Sequence, residues 1–461
     1  MTAAYGPATA QPSPTESPGH HPRVACPTAS TRCVRPARRR TETGEHAVNA
    51  ASINGYFTTT AHHQLRNQVR DFAETHVRPR IAHMETSRTV HPELSRLIAA
   101  QGWIGVTIDP QYGGMGLGHL AKTIIIEELA RVSGSMGAMV QASQLGVAKI
   151  LHFGTDTQKS RWLPRIADGR CLPTIAVTEA ESGSHVLGMA ATARRDGDSY
   201  ILNGRKVFVG NSHIGDLHGV VMRTGPDPKH LSAFLVDAST PGLSLGTQDT
   251  TMGLHGFSFG ELIFEDCRVP ADNLLGTEGD GQSVAYSSSV LYGRPNLATV
   301  SLGIHQALVD DTVQFAREHQ RYGKPLSELP TVKQKLGQLQ SQLMTARALA
   351  YLAVHLLDRG LPCDAELMNA KLVNVESLLD SARIAMEIHA AYGLSTSRPI
   401  ERYVRDAYHI YAPAGTSDVQ RLLLAEVALG ATTRPPWSKT LADKLTHHPV
   451  SHVTTPSTAT G

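Results

Sequence analysis

The sequence predicts an α+β protein in three parts: a helical N-terminal domain, a central β-barrel or sandwich domain, and a C-terminal bundle of the four-helix type. Three observations carry this. Apolar residues recur at helical spacing over residues 56–170. Over 171–277 they fall into short alternating runs separated by turn pairs. Over 278–432 the helical period returns in longer segments. A chain of 461 residues is long enough for two to three domains.

Bulk composition narrows the function. Hydrophobic content is 41%, charged content 18% and net charge +2, ordinary for a globular protein. That charge gives no electrostatic case for nucleic acid or for acidic membranes. No apolar run approaches the roughly 20 residues of a membrane span. The five cysteines (26, 33, 171, 267, 363) are odd in number and scattered, which points to a reducing compartment, the cytoplasm. Cys26 and Cys33 lack a matching second pair, so no metal site is expected.

Taken in order, residues 1–55 are rich in Pro, Ser, Thr, Ala and Gly with one cluster, Arg35-Pro36-Ala37-Arg38-Arg39-Arg40, and are expected to be disordered. They lack the apolar core of a secretory signal, and their prolines oppose an amphipathic transit helix. Leu65, Val69, Phe72, Ala73 and Val77 predict a helix over 61–86, and a second over 92–102 ends at Gly102. An extended run, 103–110, leads into the turn Tyr112-Gly113-Gly114-Met115-Gly116, whose spacing fits no phosphate-binding fingerprint. Helices follow at 119–132, 136–153 and 156–168.

Strands are predicted at 174–179, 191–195, 199–202, 206–210, 219–224, 232–237 and 261–264. Asp196-Gly197 and Asn203-Gly204 are read as hairpin turns, since both pairs tolerate positive φ. Long amphipathic helices are expected at 281–318, 330–359 and 365–391. The end, 433–461, is Pro, Thr, Ser and His rich and is read as mobile, its His447, His448 and His452 without a scaffold for metal.

The chemistry concentrates near the C-terminus. Glu401 to Tyr411 reads as a charged helix, Pro413 and Gly415 break it, and Thr416 or Ser417 caps the next one. Arg405-Asp406-Ala407 followed by Gly415-Thr416-Ser417-Asp418-Val419-Gln420-Arg421 resembles the active-site segment of the acyl-CoA dehydrogenase family. The order of helical, β and helical parts over 57–431 is similar to that family along its whole length. The resemblance implies FAD as cofactor, an acyl-CoA or acyl-carrier-protein substrate, an electron-transfer partner or oxygen as acceptor, and a homodimer or homotetramer.

Carried over residue by residue, it implies flavin contacts at several motifs. Val177-Thr178-Glu179 with Gly183-Ser184 matches a loop that lines the flavin, although Ala180 and His185 replace the usual Pro and Asp. A Gly-bearing loop lets N–H groups approach a phosphate, and Ser184 adds a donor for flavin or substrate. Phe208, Val209 and Gly210 stand where an aromatic shields one flavin face; Gly210 replaces a threonine whose hydroxyl reaches the flavin N5. Glu318-His319-Gln320-Arg321-Tyr322-Gly323-Lys324 lacks the usual pyrophosphate Arg at His319, leaving Arg321 nearby. Gly393 ends a shortened glycine turn, and Thr416 and Asp418 complete the flavin set. Arg294, Ala414 and Gly415 join Ser184 in the substrate set.

The family's proton-abstracting carboxylate is absent. Its position is occupied by Ala414, with two extra residues before it, and the family's alternative position by Gly293. Removing a positioned base costs roughly 10²–10⁴-fold. The Ala414 N–H can still hold a thioester oxygen. His409, Tyr411 and Asp418 are candidate replacements, and Asp406 belongs to the structural Arg-Asp-Ala. Three readings stand at this point. One is an FAD-dependent α,β-dehydrogenation of an acyl thioester in a specialised biosynthetic pathway. The others are a flavin monooxygenase on the same fold and an inactive scaffold.

Overall fold

The computed structural model describes residues 55–445 except 90, 228 and 433. The readings for 1–54, for 446–461 and for His447, His448 and His452 therefore lie outside the described residues. Helix α1 (Thr60–Phe72) begins at a reciprocal cap in which Thr59 and His62 satisfy each other's N–H groups. Leu65 and Val69, one turn apart, carry its buried face. The helix expected over 61–86 is interrupted by a π-turn at Ala73–Val77 and a 3₁₀ turn at Arg78–Arg80 before α2 (Ile81–Ser87). Pro79, which has no N–H to donate, lies in that break. Helix α3 (Pro92–Ala99) follows.

The run 103–110 is not extended. Gly102 turns the chain with φ +76°, and Trp103–Gly105 coil into a 3₁₀ turn that buries Trp103 and Ile104. Helices α4 (Gly118–Val132) and α5 (Gly134–Phe153) are buried on nearly every side, and α6 (Asp156–Ala167) starts at a Thr155–Gln158 capping box. Burial of Glu127 on α4 is tolerated because Arg66, Arg347 and the Tyr351 hydroxyl all donate to it. Those guanidinium charges hold its carboxyl well below the usual range.

The central part is one eight-stranded sheet among the described residues. Its strands are β1 (Pro173–Ala176), β2 (Thr192–Asp196), β3 (Ser199–Gly210), β4 (Leu217–Arg223), β5 (Leu231–Asp237), β6 (Leu243–Gln248), β7 (Phe259–Pro270) and β8 (Leu274–Leu275). The order is β6-β7-β3-β2-β4-β5-β8, with β1 parallel to β4. Asp196-Gly197 does join β2 to β3 as a hairpin. Asn203-Gly204 does not turn: it lies within β3, opposite a bulge on β7 where Glu265 and Asp266 face the single residue Asn203. The Asn203 amide exchanges hydrogen bonds with Asp266 across the strands, so the positive φ of Gly204 sits at a register shift, not a reversal. The sequence reading missed β6, whose side chains alternate too weakly in polarity to stand out.

The helix expected over 281–318 is three pieces: α7 (Gly281–Ser288), a π-turn at Ser289–Gly293, and α8 (Arg294–Glu318). Helices α9 (Pro330–Asp358), α10 (Asp364–His389), α11 (Ile400–Tyr411) and α12 (Ser417–Ala428) complete the bundle, which packs on α4 and α5. Within the segment read as mobile, α13 (Trp437–Leu445) instead docks on the bundle. Asp364 accepts from the N–H groups of Trp437 and Ser438 at 2.8 and 2.9 Å, and Leu441 is buried.

Candidate active site

A largely apolar cavity of ≈ 680 Å³ lies where α5, the edge of the sheet, the π-turn and the 412–415 loop converge. Each wall is set by local bonding. The loop after β1 is pinned by Glu179, which accepts from the N–H groups of Ala190 and Ala191 and from the buried Lys206 ammonium at 2.7 Å. That anchoring leaves Gly183 and Ser184 exposed at the cavity, where a Cβ on Gly183 would meet nothing. Phe208 sits at the rim with φ +56°, rare for an aromatic residue, and its ring is 55% exposed and stacked on Phe259. A Cβ on Gly210 would come within 3.0 Å of both Ala142 and Phe257, so Phe257 takes the space that a larger side chain there would need.

The opposite wall is the 412–415 loop. Lys371 reaches it from α10, donating to the carbonyls of Tyr411 and Gly415 at 2.7 and 2.8 Å. Gln420 donates to the carbonyls of Ala414 and Gly415, and Thr416 caps α12. With its carbonyls held from behind, Ala414 adopts φ +56° and its N–H has no partner among the described residues. An N–H held this way can receive a developing oxyanion. The loop's approach is fixed by the preceding helix. Arg405 donates to Glu85, to Glu401 and to the Met252 carbonyl, and Asp406 accepts from the Leu254 N–H at 2.6 Å. Asp406 is therefore a brace between α11 and the 251–257 segment, and burial pushes its carboxyl up to about 6.

The titratable groups that reach the cavity are few. His409 faces Phe257 and Phe259 edge-on, and burial lowers its imidazole to about 4. Arg294, the first residue of α8, is buried, and burial lowers its guanidinium to about 10. Tyr286 also lines the space, but no Asp or Glu among the described residues does.

Of the residues singled out from sequence, Val177, Thr178, Ser184, Phe208, Val209, Gly210, Arg294, His409, Ala414 and Gly415 all line this cavity. Tyr411 does not; it meets the loop only through its carbonyl. Thr416 is spent on its cap, and Asp418 is exposed and paired with Arg421. Arg321 sits on a small exposed hairpin and Gly393 is the buried residue of an otherwise exposed 3₁₀ turn, and neither lines the cavity of its own chain. Gln141, Leu145, Phe257 and Phe259 line it as well and were missed. Gln141 and Leu145 lie four apart with Ala138 on one face of α5, a polar interruption of a buried helix that a closer reading of the period would have marked.

Three family models match consecutive parts of the chain. They are Acyl-CoA dehydrogenase N-terminal domain at residues 59–170, middle domain at 174–267 and C-terminal domain at 279–429. The chain belongs to the acyl-CoA dehydrogenase family. An acyl-CoA dehydrogenase of Bacillus subtilis (strain 168) is 33% identical over 371 residues, covering 80% of this chain and 98% of that one. The butyryl-CoA dehydrogenase of Megasphaera elsdenii superposes with a TM-score of 0.79 at 29% identity, covering 81% of this chain and 99% of the other. The prolyl acyl carrier protein oxidase AnaB gives 0.76 at 28% identity, covering 80% and 99%.

Members of the acyl-CoA dehydrogenase family are flavoprotein oxidoreductases acting on CH–CH donors, and a structure 25% identical to this chain is an FAD complex, that of PigA. The residues here fit such a group. Phe208 offers an exposed aromatic face, Gly183 and Ser184 an open loop, and the cavity is large and mostly apolar.

Proposed function

We propose that the chain dehydrogenates the α,β bond of an acyl thioester, carried on CoA or on an acyl-carrier protein, and serves a specialised biosynthetic pathway in a reducing cytoplasm. The supporting observation is the frame around Ala414: an N–H without a partner among the described residues, at a largely apolar cavity that His409 also lines and no described carboxylate does. FAD, when bound, supplies the hydride acceptor for Cβ.

The chain's own residues do the rest. The Ala414 N–H donates to the thioester oxygen and stabilises negative charge as the α-proton leaves. His409, neutral at physiological pH, receives that proton at an imidazole nitrogen. Phe257 and Phe259 keep water from the imidazole and hold its basicity low, so turnover is slower than with a carboxylate of matched pKa. The flavin residues expected beyond the cavity, Arg321, Gly393, Thr416 and Asp418, belong in this reading to a neighbouring subunit's site in a homodimer or homotetramer.

The lack of a lining carboxylate also favours a second reading, an oxygen-using hydroxylase in which no α-proton is taken. Anaerobic titration of the FAD-loaded protein separates them. Bleaching of the flavin by acyl thioester alone supports dehydrogenation. No bleaching, with oxygen consumed by the reduced flavin only when an amine or aromatic substrate is added, supports hydroxylation instead.

A further inference from the structure

Gln141 is a buried amide with nothing to bond to. It is 7% exposed, it lines the cavity, and its side chain makes no hydrogen bond among the described residues. Four other polar side chains of α5 are satisfied within the protein. Ser135 donates to the His255 carbonyl at 2.7 Å, Ser143 accepts from Asn211 at 3.0 Å, Gln144 donates to the Ile104 carbonyl at 2.8 Å, and Lys149 donates to the Thr174 carbonyl. Asn296 and His305 lack partners as well, but their polar atoms are sealed in the core and line no cavity. Gln141 is open to one.

Its surroundings on the helix are apolar. Ala138 one turn before it, Ala142 beside it and Leu145 one turn after it line the cavity with it. It takes no part in holding the 412–415 loop, which Lys371 and Gln420 bond. A plain hydrocarbon chain packed against this wall would strip water from the amide and leave its carbonyl and NH₂ unsatisfied. A group that both donates and accepts would satisfy them. The amide is neutral and supplies no counterion, so a charged substituent would gain less from it than an uncharged one.

We propose that Gln141 is a specificity residue that takes a neutral hydrogen-bonding group on the acyl chain, a hydroxyl or a carboxamide, so that the substrate is a functionalised acyl thioester and not a plain fatty acyl one. This rests on the thioester reading above. A carboxamide pairs with the glutamine amide in both directions, N–H to C=O, and a hydroxyl donates to its carbonyl or accepts from its NH₂. Selection comes from the analogue that lacks the group, because it leaves the buried amide unpaired.

Calorimetry tests this on FAD-loaded protein reduced beforehand with dithionite, so that bound thioester is not turned over. Three pairs matched in shape are compared: 4-hydroxybutyryl-CoA against pentanoyl-CoA, 6-hydroxyhexanoyl-CoA against heptanoyl-CoA, and succinamoyl-CoA against 4-methylpentanoyl-CoA. The expected result is tighter binding of the polar member by about fivefold or more in at least one pair, the scale of one buried hydrogen bond made or lost. Gln141→Leu, similar in size, should abolish that preference, and Gln141→Asn should weaken it by drawing the amide back one methylene. Should Gln141→Leu fail to fold, the wild-type preference and the asparagine variant decide. A preference below about fivefold in all three pairs, or one that the variants leave unchanged, overturns the inference and leaves the thioester reading standing. Binding of none of the six overturns the thioester reading and the inference with it.

Discussion

A Cβ built on Gly293 would lie 3.1 Å from the Cβ of Ala414. The two positions that the sequence resemblance assigns to the family's base thus meet at one point, although most of the bundle separates them in sequence, and neither carries a carboxylate. The π-turn at Ser289–Gly293 and the left-handed Ala414 bring them together.

Restoring a carboxylate at that point is a direct test of what limits the reaction. Ala414→Glu keeps the same backbone class, so it adds no new φ strain. It should accelerate anaerobic reduction of the flavin by thioester by about 10²–10⁴-fold in stopped-flow absorbance, the value of a positioned base. Gly293→Glu must displace the Ala414 methyl by a few tenths of an ångström and should also lower the melting temperature. An unchanged rate in Ala414→Glu would show that proton removal is not limiting.

Ala414 itself is strained, with φ +56° on a residue that has a Cβ. Replacement by glycine removes that cost and should stabilise the protein by about 1 kcal/mol in urea unfolding, less a few tenths for the added freedom of the unfolded chain. A destabilised Ala414→Gly would mean that the methyl contact with the wall outweighs the strain.

The pH profile of flavin reduction reports on His409. Burial among aromatic rings lowers its imidazole to about 4 from 6.5, so the neutral, accepting form persists through pH 5. The acid limb of kcat/KM should therefore fall near pH 4, and His409→Asn should lower the rate and abolish that limb. A limb near 6.5 would place the titrating group elsewhere.

Asp406 makes stability depend on pH with the opposite sign to a salt-bridged carboxylate. Its folded pKa is raised to about 6 from 3.8, so the folded state holds more protons than the unfolded state between those values. Its contribution is favourable below about pH 4 and is lost as pH rises through 6. Asp406→Asn keeps an oxygen for the Leu254 N–H but does not titrate. Relative to wild type, this variant should gain stability between pH 4.5 and 7 in denaturant titrations, and a constant difference would contradict the assignment.

Much of this molecule was readable from its residues, and what escaped did so for identifiable reasons. Thr178, Gly183-Ser184 and Gly415-Thr416-Ser417 are contiguous patterns in the chain, so they could be recognised one at a time even though Val207 and Lys371 reach their carbonyls from afar. Asn203-Gly204 looked like a hairpin because its positive φ suits a turn as well as a register shift, and only the bulge on the partner strand, at Asp266, decides which forms. The break in the 281–318 helix left the apolar period intact, so nothing in the period marked the π-turn. The cage of Phe257, Phe259 and His409 joins the sheet to α11, far apart in sequence, and no spacing rule foresees it. The docking of α13 rests on three bonds to Asp364 and on buried Leu441, invisible in a segment of polar composition.

Arg405 and Asp406 hold α11 to Glu85 in the N-terminal part and to Met252 and Leu254 in the central part. Ala414, which lines the cavity, makes none of those ties with its side chain, whereas His409 shares in them through Phe257 and Phe259. A substitution at 414 therefore leaves the joints between the three parts in place, so that position can change its chemistry without costing the assembly.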